Sequence, residues 1–145
     1  MTTFLLDVNV LIALMWTSEE AHTRVQDWFA QSAHQGWATC PFTQAAFIRI
    51  VTNPAFSKDA VTPQEAIRIL GVNLKHPGHR FWADEIDFVR AVQGFVAKFS
   101  GHQQVTDAYL LGLAIHKKGK LATLDRGIAA LLPEKSSQRD FIEFV

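Results

Sequence analysis

The chain has 145 residues, 48% of them hydrophobic and 19% charged, which excludes a disordered or fibrous polymer and gives one domain, residues 1–145. A chain of that length buries roughly 70% of the surface it exposes when unfolded. Lys plus Arg and Asp plus Glu number 14 each, so there is no global basic footprint for non-specific nucleic-acid binding, although an enzyme gripping phosphates through metal ions is not excluded.

In chain order, Phe4-Leu5-Leu6 is a short continuous apolar run suited to a strand covered on both faces. It stops at Asp7 and leads into Val10-Leu11-Ile12-Ala13-Leu14, a buried helix. The stretch Phe4 to Trp16 carries Asp7 and Asn9, lacks a basic leader and is too short to span a bilayer, so neither a signal peptide nor a membrane association is expected. Glu20 to Ser32 is an amphipathic helix with Ala21, Val25, Trp28 and Phe29 on one stripe, its start capped by Ser18 or the acids that follow. Trp37-Ala38-Thr39-Cys40 is a second strand. Cys40, the single cysteine, excludes an intrachain disulfide, fits a reducing cytoplasm and reads as a small buried hydrophobe.

Pro41 opens the next helix, which carries Ala45, Phe47, Ile48, Ile50 and Val51 and ends at Asn53-Pro54. Thr62-Pro63-Gln64-Glu65 starts another, with an N-cap threonine, proline at the first position and glutamate at the third; Gly71 is expected to end or loosen it. His76-Pro77-Gly78-His79 is a turn, its histidines structural rather than metal-binding, and Arg80-Phe81-Trp82 a short strand. Ile86 to Phe99 reads as a helix interrupted by Gly94. Val105 to His116 is a buried helix ending near Gly119, with Lys117 and Lys118 at its negative end. Leu121 to Leu124 is a strand that ends at Asp125, and Phe141 to Phe144 a last short strand. Strands alternating with helices predict an α/β fold, a parallel sheet with helices on both faces.

In such a sheet ligands bind beyond the carboxyl ends of the strands. Asp7 and Asp125 both lie there, and Asp107, in the first turn of the helix Val105–His116, faces the same crevice. Each alone has an ordinary role as a cap or as a partner of the helix dipole. Together, three carboxylates among apolar elements repel one another unless they are separated, protonated or bridged by cations. Oxygen donors without Cys or His suit Mg²⁺ or Mn²⁺, ions that support in-line displacement at phosphorus by an activated water.

These residues carry a family resemblance. Leu5-Leu6-Asp7-Val8-Asn9-Val10-Leu11-Ile12 resembles the opening strand and first acid of PIN domains. Val105-Thr106-Asp107-Ala108-Tyr109-Leu110 resembles their third-acid segment, and Leu121-Ala122-Thr123-Leu124-Asp125 their last strand and acid. Trp37 to Gln44, Phe47 to Ile50, His76 to Trp82 and Gly101 to Gln104 are similar to one branch, the VapC-type toxins.

The resemblance runs from Thr3 to about Leu132. It implies a three-layer α/β/α sandwich with a central, mostly parallel sheet, and a Mg²⁺- or Mn²⁺-dependent endoribonuclease. It further implies inhibition by a VapB-type antitoxin laid along the toxin, and a homodimer. The usual glutamate on the helix after the second strand is replaced by Gln44, which offers a carbonyl oxygen but no charge. Weaker metal binding is therefore expected, and a catalytically impaired RNA- or protein-binding module is the alternative.

Around the acids, Asn9 is a candidate to hold a water or phosphate, Thr106 and Thr123 to orient the aspartates, and Arg126 to bind phosphate or pair with the acids. His102 is expected in a loop along the RNA path, and Trp16 partly exposed at an antitoxin or dimer surface. A rival phosphotransfer chemistry on an aspartate nucleophile, as in haloacid-dehalogenase-like phosphatases, wants a second acid two residues after the first. Asn9 stands there instead, and no lysine suits a later strand end.

Overall fold

A computed structural model describes the whole chain, Met1–Val145. Five strands, β1 (Phe4–Leu6), β2 (Trp37–Thr39), β3 (His79–Phe81), β4 (Lys120–Thr123) and β5 (Ile142–Phe144), form one sheet in the order β3-β2-β1-β4-β5. Every neighbouring pair is parallel, with Phe4 facing Trp37 on one side and Lys120 on the other. The all-apolar run Phe4-Leu5-Leu6 has no polar face because β1 is central and covered on both sides.

The pleat sends alternate residues to two separate cores. Phe4, Leu6, Trp37 and Ala122 pack with α1 (Val8–Met15), α2 (His22–Trp28), α3 (Pro41–Val51) and α4 (Pro63–Asn73). Leu5, Ala38, Leu121 and Ile142 pack with α5 (Phe88–Val92) and α6 (Val105–His116). The result is the expected three-layer sandwich. No helix is long and apolar enough to cross a membrane.

Local chemistry explains most of the boundaries. Thr62 Oγ1 accepts the Glu65 N–H at 3.2 Å, so the motif read from the sequence caps α4. At α3 the cap is reciprocal: the Cys40 N–H donates to Thr43 Oγ1 at 3.0 Å, and that hydroxyl donates to the Cys40 carbonyl.

Four expectations are corrected. Helix α2 starts at His22 without a side-chain cap, and neither Ser18 nor the acids serve it; beyond Trp28 it widens into a π-helical turn, Phe29–Ala33. Gly71 does not end α4, which runs on to Asn73 because that glycine faces open space and disturbs no packing. The segment read as one helix to Phe99 is helical only from Phe88 to Val92, then tightens to a 3₁₀ stretch, Gln93–Lys98, around Gly94. Strand β3 begins one residue early, at His79, and Trp82 is buried just beyond it.

Candidate active site

The strand order reverses direction between β1 and β4, the switch point at which open α/β sheets leave a crevice. Asp7 lies at the carboxyl end of β1 and Asp125 at that of β4. Asp7 is also the N-cap of α1: its Oδ1 accepts the Val8 N–H at 2.7 Å, and its backbone N–H is tied to the Ala122 carbonyl. Continuing the alternation of β1 puts Asp7 on the Leu5 face, the side covered by α6. Asp107, half-buried in the first turn of α6, thereby shares the crevice.

Thr123 joins two of the acids. Its Oγ1 donates to Asp7 Oδ2 at 2.8 Å and accepts the Asp125 N–H at 3.0 Å. Asp125 itself is exposed, its Oδ1 holding the Gly127 N–H at 2.8 Å.

The three charges act on one another. Asp107 is pushed up to about 7, first by burial and then by the charges of Asp7 and Asp125. Asp7, 4% exposed, is raised by burial and by Asp125, against the opposing bonds from Thr123 and Val8. No cation of the chain neutralises them: the ion pairs are Glu65–Arg68 and Glu85 with His116 and Lys117, all elsewhere. No three carboxylate, imidazole or thiol groups form a ready-made cation cage. What the crevice offers is uncompensated negative charge on hard oxygen donors, which suits Mg²⁺ or Mn²⁺.

A PIN domain model matches residues 4–131. The chain belongs to the PIN domain family. Ribonuclease VapC38 of Mycobacterium tuberculosis is 42% identical over 131 residues, covering 90% of this chain and 91% of that protein. Ribonucleases VapC39 and VapC29 of the same organism are each 40% identical over 127 and 129 residues, with 88–91% of either chain covered. Among solved structures, VapBC2 from Rickettsia felis, bound to a DNA fragment from its promoter, aligns with a TM-score of 0.57 at 12% identity. The match covers 85% of this chain and 88% of that one, a likeness of fold.

Within this PIN domain Gln44 occupies the second turn region of α3, just past the end of β2. Its Nε2 donates to Thr39 Oγ1 at 3.0 Å, and that hydroxyl lies 2.8 Å from His79 Nε2. A hydroxyl that accepts from Gln44 still has its proton free to donate to His79 when that ring is neutral. Burial, with Arg80 and His76 adding to it against a Leu74 backbone bond, holds His79 below the usual imidazole range, in keeping with that assignment. Committing the amide nitrogen leaves Gln44 Oε1 as the free polar atom. His79 keeps the structural role expected of the turn histidines, while Thr39 is a residue the sequence reading misses; a threonine at a strand end, like Thr123, is the available signal.

The remaining sequence candidates divide. Asn9 is exposed and lines a cleft of about 290 Å³ together with Glu19, Phe56 and Asp125, on the α1 side of the acids. Thr106 makes no hydrogen bond to an aspartate and lines a different groove, beside Phe42 and Arg49. Arg126 neither pairs with the acids nor points among them; its guanidinium lies over the Phe144 ring, 5.0 Å from the centroid. His102 is exposed at the 3₁₀ turn before α6.

Trp16 is not an exposed contact residue. It is 9% exposed and packs edge-on against Phe47 and Phe56, because the polar Thr17-Ser18 after it turns the chain away. The His76 ring accepts N–H bonds from Trp37 and Gly78, a structural use. A separate cavity of about 340 Å³ opens between Phe29, Trp37 and His76 at the amino-terminal end of the strands, without a carboxylate, and takes no part in this site.

Proposed function

We propose that this PIN domain is a metal-dependent endoribonuclease, the toxin of a type II toxin–antitoxin pair acting in the cytoplasm. The observation that carries this reading is the uncompensated trio Asp7, Asp107 and Asp125, crowded enough to lift Asp107 to about 7. The names of the relatives, ribonucleases at 40–42% identity, support the same substrate class.

Mg²⁺ or Mn²⁺ would be held by the three aspartates, with Gln44 Oε1 as a neutral donor beside them. Bound there, the ion supplies a lowered pKa for an attacking water and charge neutralisation at the phosphate. The chain's own contribution is positional. Thr123 fixes the Asp7 carboxylate, the Asp7 backbone is pinned to β4, and Thr39 keeps the Gln44 amide from swinging. Asn9 lies at the rim, where its amide can hold a water or phosphate oxygen.

Gln44 removes one negative charge from the usual set. The ribonuclease relatives give no support to an impaired module, and that alternative is not carried forward. A small VapB-type antitoxin is the expected inhibitor, and a homodimer the expected assembly.

The test is incubation of the antitoxin-free protein with total bacterial RNA in Mg²⁺, in Mn²⁺ and in EDTA, beside Asp7→Asn. Discrete fragments that require metal and disappear in the variant are expected. RNA left intact by a folded, metal-binding protein under every condition would overturn the reading.

A further inference from the structure

A groove of about 440 Å³ is lined by Pro41, Phe42, Ala45, Ala46 and Arg49 of α3, by Thr106 of α6, and by Asp84 from the loop after β3. Pro41 follows β2, Asp84 follows β3 and Thr106 precedes Asp107 in the first turn of α6, so the groove lies at the same carboxyl edge of the sheet as the acids. Its lining combines three groups that stand outside the catalytic set. Phe42 is 42% exposed although its ring leans on Tyr109, centroids 4.9 Å apart. Arg49 is exposed and makes neither an ion pair nor a side-chain hydrogen bond. Asp84, also exposed, is equally unpaired.

An exposed aromatic face, a free guanidinium and a free carboxylate around one groove match one nucleotide of a single strand. Unstacked RNA bases are bound by stacking on aromatic rings and by hydrogen bonds to their Watson–Crick edges. Arginine suits the phosphate, and its planar fork grips two oxygens. A carboxylate accepts only, so it selects a base edge with adjacent N–H donors; guanine, with N1–H and the 2-amino group side by side, offers two, and uracil one.

We infer that this groove is a base-recognition subsite for the nucleotide flanking the cleaved bond. Phe42 stacks the base, Asp84 reads its edge with a preference for guanine, and Arg49 holds the adjoining phosphate. The inference rests on the ribonuclease reading for the identity of its ligand, and it names the residues that set specificity, as distinct from those that perform the chemistry.

The experiment measures binding separately from cleavage. Short fluorescent single-stranded RNAs, identical except for G, A, C or U at one position, are titrated against the Asp7→Asn protein by anisotropy. The same titrations follow with Phe42→Ala, Phe42→Tyr, Asp84→Asn and Arg49→Gln added. Phe42→Ala is expected to weaken binding about tenfold, as loss of one stacked base does, with Phe42→Tyr restoring it. Asp84→Asn is expected to erase the preference for G, and Arg49→Gln to weaken all four RNAs alike and lower the salt dependence by about one phosphate contact.

Cleavage by the same variants carrying native Asp7 is then mapped on total RNA, with folding checked by circular dichroism and assembly by light scattering. Unchanged RNA binding in all the variants overturns the subsite, whatever the cleavage assay shows. If Phe42→Ala instead shifts the oligomeric state while RNA binding holds, the groove is a protein interface and the inference fails. Phe42-dependent, G-selective binding by a protein that cleaves no RNA keeps the subsite and removes the nuclease reading.

Discussion

Thr123 has one hydroxyl and two acids to serve. It donates to Asp7 and accepts from the backbone of Asp125, so replacing it by valine keeps the β-branched shape and removes both bonds. Thr123→Val is expected to weaken Mn²⁺ binding by about 10- to 100-fold, the usual cost of losing a group that orients a metal ligand. Titration calorimetry checks this, and Thr123→Ser should recover most of the loss.

Asp107 gives a second test, through pH. Its folded pKa, about 7, lies above that of the unfolded chain, so the folded state binds the extra proton. In the metal-free protein the Asp107 contribution is therefore fully present below the unfolded carboxylate pKa near 4 and is lost as pH rises through 7. At a half-exposed group the loss is of order 1 kcal/mol after screening. Asp107→Asn should then melt higher than the parent at pH 8 without metal, and the difference should vanish by about pH 4.

The three aspartates were legible in the sequence because each borders an apolar run, Asp7 and Asp125 at the end of a strand and Asp107 at the start of a helix. What joins them was not. The bond between Thr123 and Asp7 depends on which strands are neighbours, and the Gln44–Thr39–His79 chain on β2 pairing with β3. Arg126 shows the reverse error, since adjacency to Asp125 in sequence says nothing of the Phe144 ring across the turn.

At the scale of elements, α6 is placed by its glycines and its end. A Cβ at Gly112 would fall on the Ala91 carbonyl of α5, so that glycine permits the closest approach of the two helices. Gly112→Ala improves helix propensity by about 1 kcal/mol, yet overpacking costs about 1–3 kcal/mol or more, and the clash is with backbone. A net loss of stability is expected in urea unfolding.

The end of α6 reads differently. The Gly119 N–H bonds the Ala114 carbonyl and the Lys118 N–H the Ile115 carbonyl, a Schellman turn whose left-handed residue is Lys118, φ 59°, and not the glycine. Gly119 is needed for room, because a side chain there would meet Thr3 and the Trp82 ring. Lys118→Gly should therefore stabilise by about 1 kcal/mol and Gly119→Ala should destabilise, again read by urea. Sequence alone finds a helix stop at Lys-Lys-Gly but cannot tell conformational need from steric need. Long apolar elements such as α6 and β1 were legible for the opposite reason: burial on every side leaves one pattern. The 3₁₀ segments, held by short-range turns without periodicity, left no such signal.

For the molecule as a whole, zero net charge and a local excess of carboxylates coexist because no basic residue forms an ion pair with the three aspartates. Self-repulsion at the site is then a standing cost to folding, relieved by whatever neutralises it. Mg²⁺ or Mn²⁺ at about 100 times its dissociation constant is expected to stabilise by about 2.7 kcal/mol, a rise in Tm of roughly 5–10 °C. Scanning calorimetry with metal and then with excess EDTA checks this; an unchanged Tm would mean that the carboxylates do not hold the ion.

The hydrogen bond from Thr123 to Asp7 spans 116 positions of the chain. A ribosome adding about 5–20 residues per second makes Thr123 roughly 6–23 s after Asp7. Through that interval β1 lacks its β4 neighbour, Asp7 has neither of its long-range partners, and the crevice has one wall. Under the proposed ribonuclease reading, the cutting site is thus completed only near the end of synthesis, after most of its own messenger has been read.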